Sequence, residues 1–542
     1  MSIARNRVAV AAAIASLVAV TALVVYRSVE RAEVLSFEDQ ACGLPSAWLE
    51  RTQRGYYEPR SGQISLLPKT PAYMASGGDG WSHSGPWPYL QDIPLAFYGP
   101  GVIEEGVEVT RPVTLADVAP TFATLLGGTV RSGDGASLPE VATLEEVVTR
   151  PKLALIVTIV WDGGGWNALE LWPHAWPNLR RLMDEGVNFV AATDGSSPSV
   201  TPAVHSTLGT GVFPSTHGIT GVPVRDEQGV VVDSFLEGES SRFLEVPTIA
   251  ERWDEQTGNE AMVAMIGYEP WHLGMIGKGA EVPGGDKDHA VWLTADNEWT
   301  TNEANYSMPA AVDTADGVEA DLARVDASDG AQDGSWRRVP LDDPKRTEET
   351  PAFVLHHGRV LEDLIEEDGY GRNDVTDFIY TNFKQIDRIG HYYNMASREV
   401  RDNIAVSDQV LGSFLEFMDD VIGRGRYVVV VTADHGQQPD EEAVDGYGID
   451  PNEVERDIDA EFGGPIARAV WPTEVFLLED EMDRLGVTVD DVALFLGDYR
   501  IRDNATEPAH EAHGSGKFEP YDRMFEMAIP ARMLPGLDCS AR

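Results

Sequence analysis

Cysteine and basic residues are both scarce in this 542-residue chain, and long apolar runs are nearly absent. Cys42 and Cys539, near opposite ends, are its only cysteines. So low a count excludes a disulfide framework and leaves room for one bond or two unrelated thiols. Lys and Arg total 41 against 89 Asp and Glu, a formal charge of -48. Such a surface repels nucleic acid and anionic lipid at long range and excludes a nucleic-acid scaffold role. It also suits a salty milieu, where counterions screen the self-repulsion. No internal repeat stands out, and the 43% apolar content fits a folded globular body.

One uncharged stretch is long enough to matter, from Val8 to Tyr26, preceded by Arg5 and Arg7 and followed by Arg27. Nineteen apolar or small residues are enough to cross a bilayer as a helix. Residues 1–33 are therefore expected to be a signal anchor, a single N-terminal helix in the cell membrane. The body would lie outside the cytoplasm, or be secreted if the segment is cleaved.

Beyond that segment the chain divides into residues 34–150, 151–224, 225–350 and 351–542. The first is rich in Gly and Pro, with a strand over 93–98 and a helix over 114–126. The second opens on an apolar run, 153–161, of the kind buried in parallel sheets, then a helix over 177–185 and a strand over 187–192. The third is acidic and full of Gly turn signals, and is expected to be an inserted cap. In the last, helices over 357–367 and 399–418 alternate with strands over 375–381 and 427–432. This rhythm predicts an α/β fold, an open and mostly parallel sheet with helices on both faces.

In such sheets ligands sit beyond the carboxyl ends of the strands. Asp162 follows the strand 153–161, Asp387 and His391 follow 375–381, and Asp434 and His435 follow 427–432. Asp and neutral His are natural ligands for zinc and similar ions, and two such ions can clamp both oxygens of an in-line displacement. Asp387 and His391, four apart, share one face if that stretch is helical. Thr201 stands before Pro202, which is favoured at a first helical position, and so is expected at a helix N-terminus where an anion is welcome. A metal on its oxygen would activate it as a nucleophile.

Together these motifs resemble the alkaline phosphatase superfamily, in its type I phosphodiesterase/nucleotide pyrophosphatase branch with the related threonine-nucleophile monoesterases. The resemblance rests on Thr201, His205, Thr207-Leu-Gly-Thr-Gly211, Pro214-Ser-Thr-His-Gly-Ile219, Asp387-Arg-Ile-Gly-His391 and Ala433-Asp-His-Gly436. It implies an alkaline phosphatase-like fold and two divalent metal ions, usually zinc. Asp162, Thr201, Asp434 and His435 would hold one, and Asp387, His391 and a third His the other. Thr201 would form a covalent phosphothreonine with a small phosphoester substrate. His205 fits the motif as a structural residue packed beside the nucleophile helix.

The resemblance also has departures. The family's late block appears here early, as Ser82-His-Ser-Gly-Pro86, Ile93-Pro-Leu-Ala-Phe-Tyr-Gly-Pro-Gly101 and Leu115-Ala-Asp-Val-Ala-Pro-Thr121. The order therefore looks circularly permuted, with 34–150 completing the catalytic core, and a Cys42–Cys539 bond would staple the ends where an unpermuted chain runs on. His83 and His513 compete as the third His, and the ten-residue spacing from His83 to Ile93-Pro94 favours His83. Val222 stands where the family often has a phosphate-binding Asn, and Trp271-His-Leu-Gly274 where many monoesterases have Lys-x-Arg. His272, Lys278 and Lys287 are the candidates to compensate. The missing donors tilt the expectation towards a phosphodiester or nucleotide-type substrate, with an alkaline phosphomonoesterase or a non-catalytic metal-binding surface protein as alternatives.

Overall fold

The computed structural model describes residues 36–74, 81–128, 133–294, 296–441, 443–504 and 518–540. Two units can be described. The smaller spans Met1–Pro45 and Leu537–Arg542. Its described part holds a short helix, Phe37–Ala41, capped by the Ser36 hydroxyl, and the disulfide between Cys42 and Cys539.

The expectation of a membrane anchor requires correction. Among the described residues no helix is long and apolar enough to cross a membrane. The stretch that prompted the expectation, residues 8–26, lies outside the described residues.

The larger unit, Ser46–Gly536, is built on one sheet to which the described residues contribute nine strands. In chain order these are β1 (Leu95–Tyr98), β2 (Val107–Val109), β3 (Leu155–Trp161), β4 (Val187–Phe189), β5 (Val263–Tyr268), β6 (His289–Leu293), β7 (Trp299–Thr300), β8 (Asp377–Phe383) and β9 (Tyr427–Thr432). Across the sheet the order is β7-β6-β5-β8-β3-β9-β1-β4-β2. The five central strands from β6 to β9 are mutually parallel, whereas β1 runs antiparallel to both β9 and β4. The sheet is thus mixed, with a parallel heart.

β3 explains why this sheet is buried on both sides. Its run of Leu, Ile, Val and Thr suits a pleated strand, and all seven residues are buried. Leu155, Val157, Ile159 and Trp161 pack on one face with the helices Ala352–Glu367 and Arg398–Val421. Ile156 and Val160 pack on the other with the helices Val118–Leu125 and Thr201–Thr210. Burying each such side chain stabilises the fold by roughly 1.5–3 kcal/mol. A parallel strand with no polar alternation needs both covers.

The stretch 225–350 departs from the expected cap. β5 and β6 belong to it, and they are parallel, buried strands of the main sheet. The same stretch also forms the helices Ile249–Thr257 and Glu319–Asp326 and a short hairpin, Ser335–Trp336 with Val339–Pro340. A second, antiparallel sheet has the order Ala467–Trp471, Glu474–Leu477, Ile64–Pro68, Phe525–Pro530.

Candidate metal centre and its pocket

Three adjacent strands, β8, β3 and β9, end at the same edge, and the residues that follow them converge there. Asp162 comes directly after β3, Lys384 directly after β8, and Asp434 and His435 just after β9. Gly163 makes the approach possible. Its φ is +68°, and a Cβ there would stand 2.9 Å from the Asp387 backbone. Its N–H donates to Asp434 Oδ1 at 3.0 Å, which ties the ends of β3 and β9 together.

Asp387 and His391 lie four apart on the helix Gln385–Tyr393, with His391 Nε2 3.3 Å from Asp387 Oδ2. Thr201 opens the wholly buried helix Thr201–Thr210. The helix begins one residue earlier than expected, with Val200 at the cap position and Thr201 in the first turn. His83 reaches the cluster from the early segment. Its ring stacks on that of His435 with centroids 3.5 Å apart, and its Nε2 is 3.6 Å from Asp387 Oδ1. Its competitor His513 lies outside the described residues.

The hydrogen bonds assign the imidazole protons. A carbonyl oxygen can only accept, so His83 donates from Nδ1 to the Ser199 carbonyl at 3.0 Å, and His435 from Nδ1 to the Gly436 carbonyl at 2.9 Å. Each then turns its Nε2 inward. That of His435 stands 3.3 Å from Asp434 Oδ2 and 3.6 Å from Asp162 Oδ1. The same logic reaches His205. His272 gives its Nε2 proton to the Tyr268 carbonyl and accepts from His205 at Nδ1, leaving His205 Nε2 facing Asp434 Oδ2 at 3.4 Å. Burial, then His205, holds His272 well below the usual imidazole range, and burial, then His435, does the same to His83.

His205 Nε2, His435 Nε2 and Asp434 Oδ2 are buried and make no hydrogen bond, and a proton or a metal cation between them would satisfy them. His83, Asp387 and His435 each place a ligand atom within 4.8 Å of the others, as do Asp162, Asp434 and His435. The donor set therefore fits divalent cations of the kind bound by mixed Asp and His ligands. The carboxylates respond to their crowding. Burial, then the neighbouring Asp434, pushes Asp162 up to about 7. Burial also works against Asp387, but His391 and then Lys384 hold it well below the usual carboxylate range.

Lys384 is the residue that sequence reasoning overlooked. It is 5% exposed, and its Nζ donates to Asp162 Oδ1 at 2.8 Å and to Thr201 Oγ1 at 3.1 Å. The same nitrogen is 2.8 Å from Asp387 Oδ2. Burial lowers its affinity for a proton, yet Asp162, Asp387 and Asp434 outweigh that and raise it above the ordinary lysine range. Its position directly after a strand and three residues before Asp387 was the available signal. The residues proposed instead are engaged elsewhere: His272 with His205 and the Tyr268 carbonyl, and Lys287 with the Glu303 carbonyl. Lys278 does not line the pocket.

A cavity of about 480 Å³ opens onto this cluster. Thr201, Lys384, Asp387, His83 and His391 form its charged end, while Trp271, Trp471, Pro198, Val222 and Val470 supply apolar walls. Glu474 also lines it, buried, and accepts the Gly62 N–H at 3.2 Å. Burial pushes this carboxyl up to about 7. The folded state thus holds its proton more tightly than the unfolded chain, and stability falls as pH rises from about 4.5 to 7. Glu474→Gln should remove that slope and stabilise the fold at pH 8 by up to roughly 3 kcal/mol, which raises the melting temperature there, while changing little at pH 4. A pH series of thermal melts checks it.

Comparison with known proteins follows the same lines. The chain is 24% identical over 339 residues to alkaline phosphatase PafA of Elizabethkingia meningoseptica, covering 53% of this chain and 60% of that protein. It is 23% identical over 343 residues to alkaline phosphatase PhoV of Synechococcus elongatus, covering 54% and 60%. The chain thus spans about three fifths of the length of the curated relatives it matches. The crystal structure of wild-type PafA matches the fold with a TM-score of 0.53 at 20% identity, over 64% of this chain and 76% of that one. Residues 156–493, which carry Asp162, Thr201, Asp387, His391, Asp434 and His435, match the model of the type I phosphodiesterase / nucleotide pyrophosphatase family, and the chain belongs to that family.

Proposed function

We propose that this protein is a metal-dependent phosphoester hydrolase of the alkaline phosphatase type, with Thr201 as its nucleophile. The observation that carries the reading is the Lys384 ammonium, which touches the Thr201 hydroxyl, Asp162 and Asp387 at once and so ties Thr201 to a buried cluster of carboxylates and imidazoles. Two divalent ions, with zinc the best match to the donors, would be held by Asp162, Thr201, Asp434 and His435 and by Asp387, His391 and His83. When bound, they supply Lewis-acid polarisation and a lowered hydroxyl pKa. Thr201 Oγ forms the new bond to phosphorus as the bond to the leaving oxygen breaks, giving a phosphothreonine, and water then displaces Thr201 and releases phosphate. The first turn of the buried helix turns its N–H groups towards the charge on the phosphoryl group. Carboxylates this crowded bind the dianion only with cations present, which makes the activity dependent on metal loading.

The alkaline phosphatase activity for which PafA and PhoV are named favours a phosphomonoester over the diester that the missing phosphate donors suggested. A diester remains the second reading, because Trp271 and Trp471 line the pocket beside the charged end and suit an aryl or nucleoside group. The early segment fits a circular permutation of the catalytic core. Support comes from β1 and β2, which lie in the main sheet although the family match begins only at residue 156.

The test is turnover of p-nitrophenyl phosphate beside bis-p-nitrophenyl phosphate by the zinc-loaded protein, at alkaline pH and high salt. Faster monoester turnover is expected. Faster diester turnover would replace the first reading with the second, and turnover of neither would end both.

A further inference from the structure

We propose that Lys384 binds the substrate's phosphoryl group beside Thr201 and sets the preference for a dianionic monoester over a monoanionic diester. This rests on the phosphoester-hydrolase reading of the same site. Among the described residues, the lysine and arginine side chains lining the pocket are Lys384 and Arg388. The Arg388 guanidinium is already paired with Glu348, its Nε donating to Oε1 at 2.9 Å. Of the two, Lys384 is the one bonded to the Thr201 hydroxyl, and so it is the side-chain cation that stands at the reacting oxygen.

The geometry specifies how. An ammonium has three N–H donors, and those of Lys384 are turned to Asp162, Asp387 and Thr201 Oγ1. Two carboxylates fix the nitrogen, so it does not swing on its flexible stem. The third donor lies 3.1 Å from the attacking oxygen, and a reacting phosphorus must come within about 3–3.5 Å of that same oxygen. A phosphoryl oxygen on that phosphorus takes over the third donor as Thr201 Oγ bonds to phosphorus. The side chain is 5% exposed, so its charge is little screened by solvent. A charge fixed there favours a group with two negative charges over a group with one.

The test compares the zinc-saturated full-length protein with its Lys384→Met and Lys384→Gln variants. The readouts are kcat/KM for p-nitrophenyl phosphate and for methyl p-nitrophenyl phosphate, inorganic phosphate affinity by calorimetry, zinc content and thermal melting. Gln keeps a donor without the charge and serves if Met does not fold. Expected are a loss of roughly 100-fold on the monoester, less than about 10-fold on the diester, and phosphate affinity weakened at least about 10-fold, at unchanged zinc content. Equal losses on both esters would mean that Lys384 acts on the threonine alone and would overturn the proposal. So would unchanged phosphate affinity. If the wild-type protein hydrolyses neither ester, the functional reading falls, and phosphate affinity alone then decides the role of Lys384.

Discussion

Thr201→Ala should reduce turnover of any ester the protein accepts by at least about 1,000-fold while leaving its fold intact. Both halves of that expectation come from the local structure. The hydroxyl accepts from the Lys384 ammonium, which also binds Asp162 and Asp387, and an alanine offers no oxygen to attack phosphorus. Yet Thr201 caps nothing, because Val200 occupies the cap position and makes no side-chain cap bond. Losing the threonine side chain should therefore cost the helix little, on the order of 1 kcal/mol. Thr201→Ser retains the oxygen and should keep most of the activity. Rapid-quench detection of a labelled phosphoprotein in the wild type, absent from Thr201→Ala, tests the intermediate directly. Full activity in the alanine variant would remove Thr201 from the reaction.

Asp162→Asn should act in opposite directions on the loaded and stripped protein. With metal supplied, loss of one carboxylate from the group it forms with Asp434 and His435 should drop the metal content and cut turnover at least about 100-fold. With metal removed by a chelator, the same change should raise the melting temperature. Asp162 is fully buried beside Asp434, and burial together with that neighbour disfavours its charge. A neutral amide relieves that strain, worth about 1–2 kcal/mol. The amide need not be left unsatisfied, since Asn382, which donates to Asp162 Oδ2 at 2.9 Å, has a buried Oδ1 ready to accept after a flip. A melt of each protein with and without zinc checks the sign. If Asp162→Asn destabilises the stripped protein, the carboxylates are not in conflict there.

Much of the parallel core was legible because its signals are local. The apolar run 153–161 appears as β3 over Leu155–Trp161, and the expected strand 427–432 as Tyr427–Thr432. The Asp and His residues at strand ends were legible for the same reason, since the rule about carboxyl ends needs only strand order and direction. β5 and β6 were not legible. Their runs are short and set among glycine and acidic turns, so only the neighbouring strands make them sheet. Lys384 was missed because a lysine is ordinarily solvated; Asp387 three residues on was a local cue, but the pairing with Asp162 that completes its burial is long-range. His205 was read as packing only. Its proximity to Asp434 depends on where β9 ends relative to the helix Thr201–Thr210, a long-range fact.

The pairing of early with late strands has a consequence for synthesis. Ile64–Pro68 pairs with Glu474–Leu477 and Phe525–Pro530, and β1 inserts between β9 and β4. Nascent residues around 64–98 thus emerge long before their partners. Roughly 460 residues separate the first of these strands from the last, which at about 5–20 residues per second is a wait of roughly 20–90 s. During that interval the buried side chains Leu66 and Leu67 lack the strands that flank them in the folded sheet. This chain should depend on chaperones that hold an emerging N-terminal segment, and stop-codon truncations before residue 427 should aggregate through it.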